Sequence, residues 1–426
     1  MQAALNAIQK CEKILETLGA KITCGGEIEW YSIVDTPRLS MKPAAMKAEI
    51  IHNISSKPDI FDRFWILNCD DQNIESYCNK FHISKNDAII RVSKEALVKI
   101  DDGDIDEKQL AELATALIMT RVMLRADKEG IPIYVCEKEN GYVASEMAVQ
   151  HEISTKPGTA YQQAIWLNTL RSLITEESRK LETLADFEDK PDYTHRATAA
   201  GNGLHIHYGL IDAKTGENLM ATGLPAAISK KSLLYSVCAD GVLEVARQGG
   251  IILGCPYSES YDRLQKGGTT LPKVFNEGTE DASCVKENSI DGQLHQELRI
   301  PGSKTPPSLA VLLTTLGIVY GIAEELNIGQ SPADRIDPWR RHLSRGYKGP
   351  DMLDSIQANI KPETRSHFLN MRNKPSRDVA INKGPIPLSL QDAMNFAERG
   401  SILEAYCPQV MKEIGEKHAA LFFTGH

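Results

Sequence analysis

Apolar residues at Ala4, Leu5, Ile8, Cys11, Ile14, Leu15 and Leu18 recur every three or four positions and stop at Gly19, which predicts an amphipathic helix over residues 2–18. Gly25 and Gly26 then introduce an extended run from Glu27 to Val34, where the period falls to two. Residues 35–100 mix short apolar runs, such as Ala88 to Val92, with polar turns such as Ser55 to Pro58, and predict short strands and loops. Helical spacing returns over Asp106 to Asp127, Tyr161 to Lys180, Lys231 to Gln248 and Leu309 to Glu325. Strand-like runs occupy Ile131 to Cys136, Leu204 to Ile211 and Gln293 to Ile300. Strands and helices therefore alternate, which favours a sheet with helices packed on it, of α/β or α+β class. Ser331 to Pro385 is charged and turn-rich. Ser389 with Asp392 three positions on resembles the capped start of a helix reaching about Arg399, and a last helix is expected over roughly Ser401 to Leu421.

The composition is globular, 42% hydrophobic and 25% charged over 426 residues, enough for one large domain or two smaller ones. A formal charge of -9 argues against a phosphate-backbone binder, so nucleic acid is not an expected partner. No run approaches the roughly 20 continuous apolar residues of a membrane span, and the first residues lack the order of a signal peptide. A cytoplasmic protein with no membrane partner is the expectation. The nine cysteines are scattered with no C-x-x-C pair, so they read as reduced, mostly buried thiols.

Chemistry-bearing residues gather on the strand-like segments. In Glu27-Ile-Glu29-Trp-Tyr the two carboxylates share one strand face, about 7 Å apart, while Ile28 and Trp30 take the other. Alone, such a pair is better explained by a solvated strand edge. Gly201-Asn-Gly-Leu-His205-Ile-His207 places two imidazoles on one face behind backbone-permissive glycines, the pattern of a metal or phosphate contact or of a packed pair. In Gln293-Leu-His-Gln-Glu-Leu-Arg-Ile-Pro301, His295, Glu297 and Arg299 share a side opposite Leu298 and Ile300. An acid beside an arginine is usually a salt bridge, but on a central strand unpaired charge is expensive, so a metal or an anionic substrate is a reasonable occupant. Ser145 to Thr155 adds Glu146 and Glu152, and by itself reads as a charged loop.

Taken in order, these segments resemble the catalytic core of the glutamine synthetase family. Gly25 to Val34 is similar to its first acidic strand, and Ser145 to Thr155 to its glutamate loop ending in Gln-x-Glu. Gly201 to His207 is similar to its G-x-G-x-H-x-H, and Gln296 to Pro301 to its E-x-R-x-P. Ser260-Tyr-Asp-Arg263-Leu264 resembles the S-Y-x-R-L before the substrate flap, and Leu388 to His418 the C-terminal helices. The resemblance implies an α+β fold with a curved, mainly antiparallel sheet. Its division would be an N-terminal helix at 1–20, the catalytic domain at 21–330, and a C-terminal helical segment at 331–426 packed on that domain. It further implies two or more Mg²⁺ or Mn²⁺ ions, ATP as substrate, and a glutamate-like acid and an amine as small-molecule partners. Homo-oligomers are compatible with it. Glu29, Glu146 and Glu152 would hold the ion near the substrate carboxylate. Glu27, His205 and Glu297 would hold the one at the ATP phosphates. His207 would touch phosphate, and Arg263 and Arg299 would grip the acid. Hard carboxylate oxygens suit such ions.

Three departures qualify this. Only 26 residues precede Glu27, so the family's small β-grasp domain is not expected. Lys266-Gly-Gly-Thr-Thr270 stands where the flap would carry an acid, and residues 275–286 are acidic where the family has an arginine-rich strand; Lys273 or Lys286 could substitute there. The losses lie on the acceptor side, so the expected activity is that of a diverged ATP-dependent carboxylate–amine ligase. A true glutamine synthetase, and a non-catalytic nucleotide- or metal-binding relative, are the alternatives.

Overall fold

A computed structural model describes residues 2–67, 69–100, 105–143, 147–189, 201–224, 230–266, 274–280, 282–290, 293–328, 351–379, 386–398 and 402–414. Among them are the strands β1 (Ala20–Ile33), β2 (Ile133–Val143), β3 (Ala148–Thr155), β4 (Leu184–Asp186), β5 (Leu204–Asp212), β6 (Glu277–Gly278), β7 (Val285–Ile290) and β8 (Gln293–Leu298). Long helices accompany them, and the architecture is α+β, with every described pairing antiparallel except that of β6 with β7. The chain divides into two compact units. The first comprises Met1–Gly25, Pro157–Ile165 and Leu204–His426, the second Gly26–Lys156 and Trp166–Gly203.

In the first unit the helix Gln2–Leu18 buries the apolar stripe read from the sequence, including Ile8, Cys11, Ile14 and Leu15. Strands follow the order β5-β8-β7-β6, and the Ala20–Gly25 part of β1 belongs here too. The helix Pro307–Leu326 is long and apolar enough, by length and composition, to cross a membrane, yet its residues from Pro307 to Ala323 are buried within this unit. Its depth depends on a close crossing with the helix Leu233–Val245. A Cβ on Gly241 would lie 2.2 Å from the Gly317 carbonyl oxygen, and one on Gly317 would lie 2.4 Å from Val242 Cα. Both helices carry glycine at the contact because nothing larger fits between the backbones.

In the second unit β3 lies between β2 and the Gly26–Ile33 part of β1, with β4 also paired to β1. Trp30 and Ile28 are fully buried, and the Trp30 ring lies 5.7 Å from that of its cross-strand partner His151. The helix Glu107–Lys128 starts in a capping box between Asp106 and Gln109 and buries Leu113, Leu117 and Met119. Arg121 holds Glu49 through two nitrogens at 2.6 and 2.8 Å, which ties this helix to Pro43–Ser56.

Three expectations need correction. Residues 35–100 form helices, Pro43–Ser56, Asp71–Phe81 and Lys85–Val98, where strands and loops were expected. Side chains cap two of these, where Asp70 Oδ1 accepts the Asn73 N–H at 2.8 Å and Ser84 Oγ accepts the Asp87 N–H at 3.2 Å, while Pro43–Ser56 opens on a proline without a side-chain cap. The run at Ala88 is one turn of a helical stripe, continued by the buried Val92 and Leu97. Part of the turn-rich C-terminal stretch is also helical, at Met352–Ala358 and Pro362–Asn370. The helix Leu390–Glu398 begins as expected, with the Asp392 N–H donated to Ser389 Oγ at 3.1 Å. The last helix is broken: Ile402–Tyr406 stops before Cys407, because Pro408 disfavours helical backbone at the residue preceding it.

Replacing Gly241 by alanine forces two backbones apart, and chemical denaturation should show a loss of about 3 kcal/mol. An unchanged unfolding midpoint would contradict the close helix crossing.

Candidate functional site

Carboxylates crowd one face of the three-stranded ladder in the second unit. Register sets Glu29 opposite Glu152 on β1 and β3, and Glu137 opposite Glu152 on β2 and β3. Glu137 and Glu139, two apart on β2, point to the same side, and Glu137, Glu139 and Glu152 each bring an oxygen within 4.8 Å of the others. Glu152 is only 8% exposed. Burial first, then repulsion from Glu27, Glu29, Glu139 and Glu137, pushes its carboxyl well above the usual range. The same causes, burial followed by Glu139 and Glu27, raise Glu137 to about 7. Glu29 is fixed from behind: the Gly203 N–H donates to its Oε2 at 2.7 Å. The buried Asn202 beside Gly203 is itself anchored to the carbonyls of Asp186 and Glu188, at 3.1 and 3.0 Å, and accepts from Gln150 at 3.2 Å. Converging carboxylate oxygens at this density fit a hard divalent cation, which removes the repulsion that raises their pKa values.

The first unit carries a mixed set on β5, β7 and β8. Glu297 is 2% exposed and accepts from Arg299 at 2.6 Å and Asn288 at 3.2 Å, with His205 Nδ1 3.3 Å from its Oε1. His207 stands opposite Glu297 in the β5–β8 register, and Lys286 opposite it in the β7–β8 register. His207 Nδ1 lies 3.1 Å from His295 Nε2. Arg263 is 1% exposed, and its guanidinium donates to the Ile300 carbonyl at 3.1 Å, so it braces the end of β8 from the interior. The acids of the 275–286 stretch are partly engaged, since Glu277 accepts the Tyr235 hydroxyl at 3.0 Å.

Of the residues singled out in sequence, the structure gathers Glu27, Glu29 and Glu152 in the second unit, and His205, His207, Glu297 and Arg299 in the first. Glu146 and Lys273 lie outside the described residues. Glu137 and Glu139 were missed. Their signal was present, a second Glu-x-Glu at Glu137-Lys138-Glu139, but the strand was expected to end at Cys136. All nine cysteines are free thiols and eight are buried.

The profile of the glutamine synthetase catalytic domain matches residues 5–338. No curated protein matches the chain. Among solved structures, a crystal structure described as a novel glutamine synthase homolog is 14% identical with a TM-score of 0.56, covering 99% of this chain and 71% of that one. Plasmodium falciparum glutamine synthetase is 16% identical with a TM-score of 0.56, covering 99% of this chain and 77% of that one. At such identities the structural likeness concerns the fold alone.

Cation binding at the acid cluster should weaken as pH falls through about 7, where Glu137 takes up a proton. Mn²⁺ titrations at pH 6 and pH 8 by calorimetry check this, with Glu152→Gln weaker at both. Linkage gives a second sign. A carboxyl raised from 4.5 to about 7 by folding favours the fold at low pH, so metal-free stability falls as pH rises through that window. Added cation should reverse the fall.

Proposed function

The chain belongs to the glutamine synthetase catalytic-domain family, and on that premise we propose that it is a diverged ATP-dependent ligase joining glutamate or a related acid to an amine that need not be ammonia. The family supports ATP, divalent cation and ligase chemistry in general; the choice of acid and amine is our reading. The observation that carries it is the crowded carboxylate set of Glu29, Glu137, Glu139 and Glu152, in a chain whose flap residues 266–270 contain no acid. A chain that retains its cation donors but departs on the acceptor side fits activation of an acid followed by attack of a different nucleophile.

In this reading the γ-phosphoryl group passes from ATP to a carboxylate oxygen of the acid, with ADP leaving. The amine nitrogen then forms a bond to the acyl carbon as the C–O bond to phosphate breaks, and the amine proton goes to solvent or a base. What a divalent cation supplies at the carboxylate oxygens is neutralisation of phosphate and substrate charge. Arg299, held against Glu297 at 2.6 Å, offers its guanidinium to the acid. Lys286, paired in register with Glu297, brings positive charge for the phosphates. A cytoplasmic setting, where ATP and amino acids are plentiful, belongs to the same proposal.

Purified protein with ATP and Mg²⁺ or Mn²⁺ should release ADP only when both an acid and an amine are present, across a panel of amino acids and amines. Ammonia matching the best amine would make it an ordinary glutamine synthetase. No ADP with any pair, together with a raised unfolding midpoint in ATP and Mn²⁺, would leave a non-catalytic nucleotide binder; no shift at all would remove both readings.

A further inference from the structure

His295 was not among the residues given a role, yet both nitrogens of its ring are engaged in the first unit's site. Its Nδ1 lies 3.1 Å from the Gln293 carbonyl oxygen, and its Nε2 lies 3.1 Å from His207 Nδ1. A carbonyl oxygen only accepts, so His295 Nδ1 carries the proton. In the neutral ring Nε2 is then an acceptor, and the bond between the rings must run from His207 Nδ1–H to His295 Nε2. This fixes the tautomer of His207, whose proton is on Nδ1 and whose lone pair is on Nε2. The two rings stand 5.2 Å apart at 47°, an arrangement that sets the His207 ring plane as well. An imidazole in that tautomer is a Lewis base and not a donor to phosphate. His207 and Glu297 each also bring a ligand atom within 4.8 Å of the other's.

We propose that His207 is a ligand for a divalent cation alongside Glu297, and that His295 is the positioning residue that fixes its tautomer and ring plane through the Gln293 carbonyl. The geometry is that of metal-ligating histidines, in which the second ring nitrogen donates to an acceptor that orients the ring. It departs from the phosphate contact that the resemblance implied for His207. The inference deepens the ligase reading, because the cation would be one that serves ATP, but cation binding is measurable with neither ATP nor acid present.

The test uses the full chain labelled with ¹⁵N in its histidine rings, with His207→Ala and His295→Ala to assign the signals. In the metal-free wild type, His207 should show a protonated Nδ1 and a bare Nε2, and Zn²⁺ should move the Nε2 signal out of the bare-nitrogen range. In nucleotide-free Mn²⁺ titrations His295→Ala should weaken the tightest imidazole-containing site, read by nitrogen modulation in the manganese electron-spin echo, by about 10-fold. His295→Asn should restore most of that affinity, because its Oδ1 can accept the same His207 proton; thermal midpoints of both variants confirm folding. A His207 proton on Nε2, an Nε2 signal unmoved by Zn²⁺, or equal Mn²⁺ affinity in His207→Ala would each overturn the inference. If the imidazole responds as expected while no acid and amine pair yields ADP, the ligase reading falls and the cation ligand stands.

Discussion

Like-charge repulsion among carboxylates held on one rigid ladder is the constraint around which the second unit is arranged. Glu27 and Glu29 cannot move apart because β1 is paired with β3 from Glu27 to Ile33, and Glu152 is held between β1 and β2 on the partner strand. Burial strengthens the repulsion by removing water, so Glu152 and Glu137 hold their protons more tightly than free acids. The opposite face bears the cost. Trp30, Ile28 and the cross-strand His151 are buried there beneath helices, and that packing keeps the ladder rigid enough to hold the acids together. Such an arrangement stores, in the metal-free protein, the free energy that a cation releases on binding.

The first unit solves a different problem with the same device. Glu297 is buried with Arg299 and Asn288 donating to it, so its charge is compensated before any ligand arrives, and Arg299 is oriented by the acid it pairs with. In the same unit the helices Leu233–Val245 and Pro307–Leu326 meet backbone to backbone at Gly241 and Gly317.

Much of this was legible in the chain. Period-two alternation assigned Glu27 and Glu29, His205 and His207, and Glu297 and Arg299 to strand faces, because a strand's geometry leaves no freedom about which side a residue takes. A helical stripe marked Gln2–Leu18, and a strongly apolar run from Leu309 to Glu325 marked the helix found at Pro307–Leu326. The order of four short motifs carried the family. Residues 35–100 were misread because their helices bury only a few apolar side chains each, and two of them start on single capping side chains, Asp70 and Ser84.

What the sequence determined by itself was therefore the set of donors and the face each one occupies. Tertiary structure alone decided which donors stand opposite which. Glu137 and Glu139 join Glu152 because the β2–β3 register brings them across, and His295 meets His207 because β8 pairs with β5. Periodicity is a local property of a strand, whereas register is chosen by the packing of both its faces at once, and no single segment contains that information.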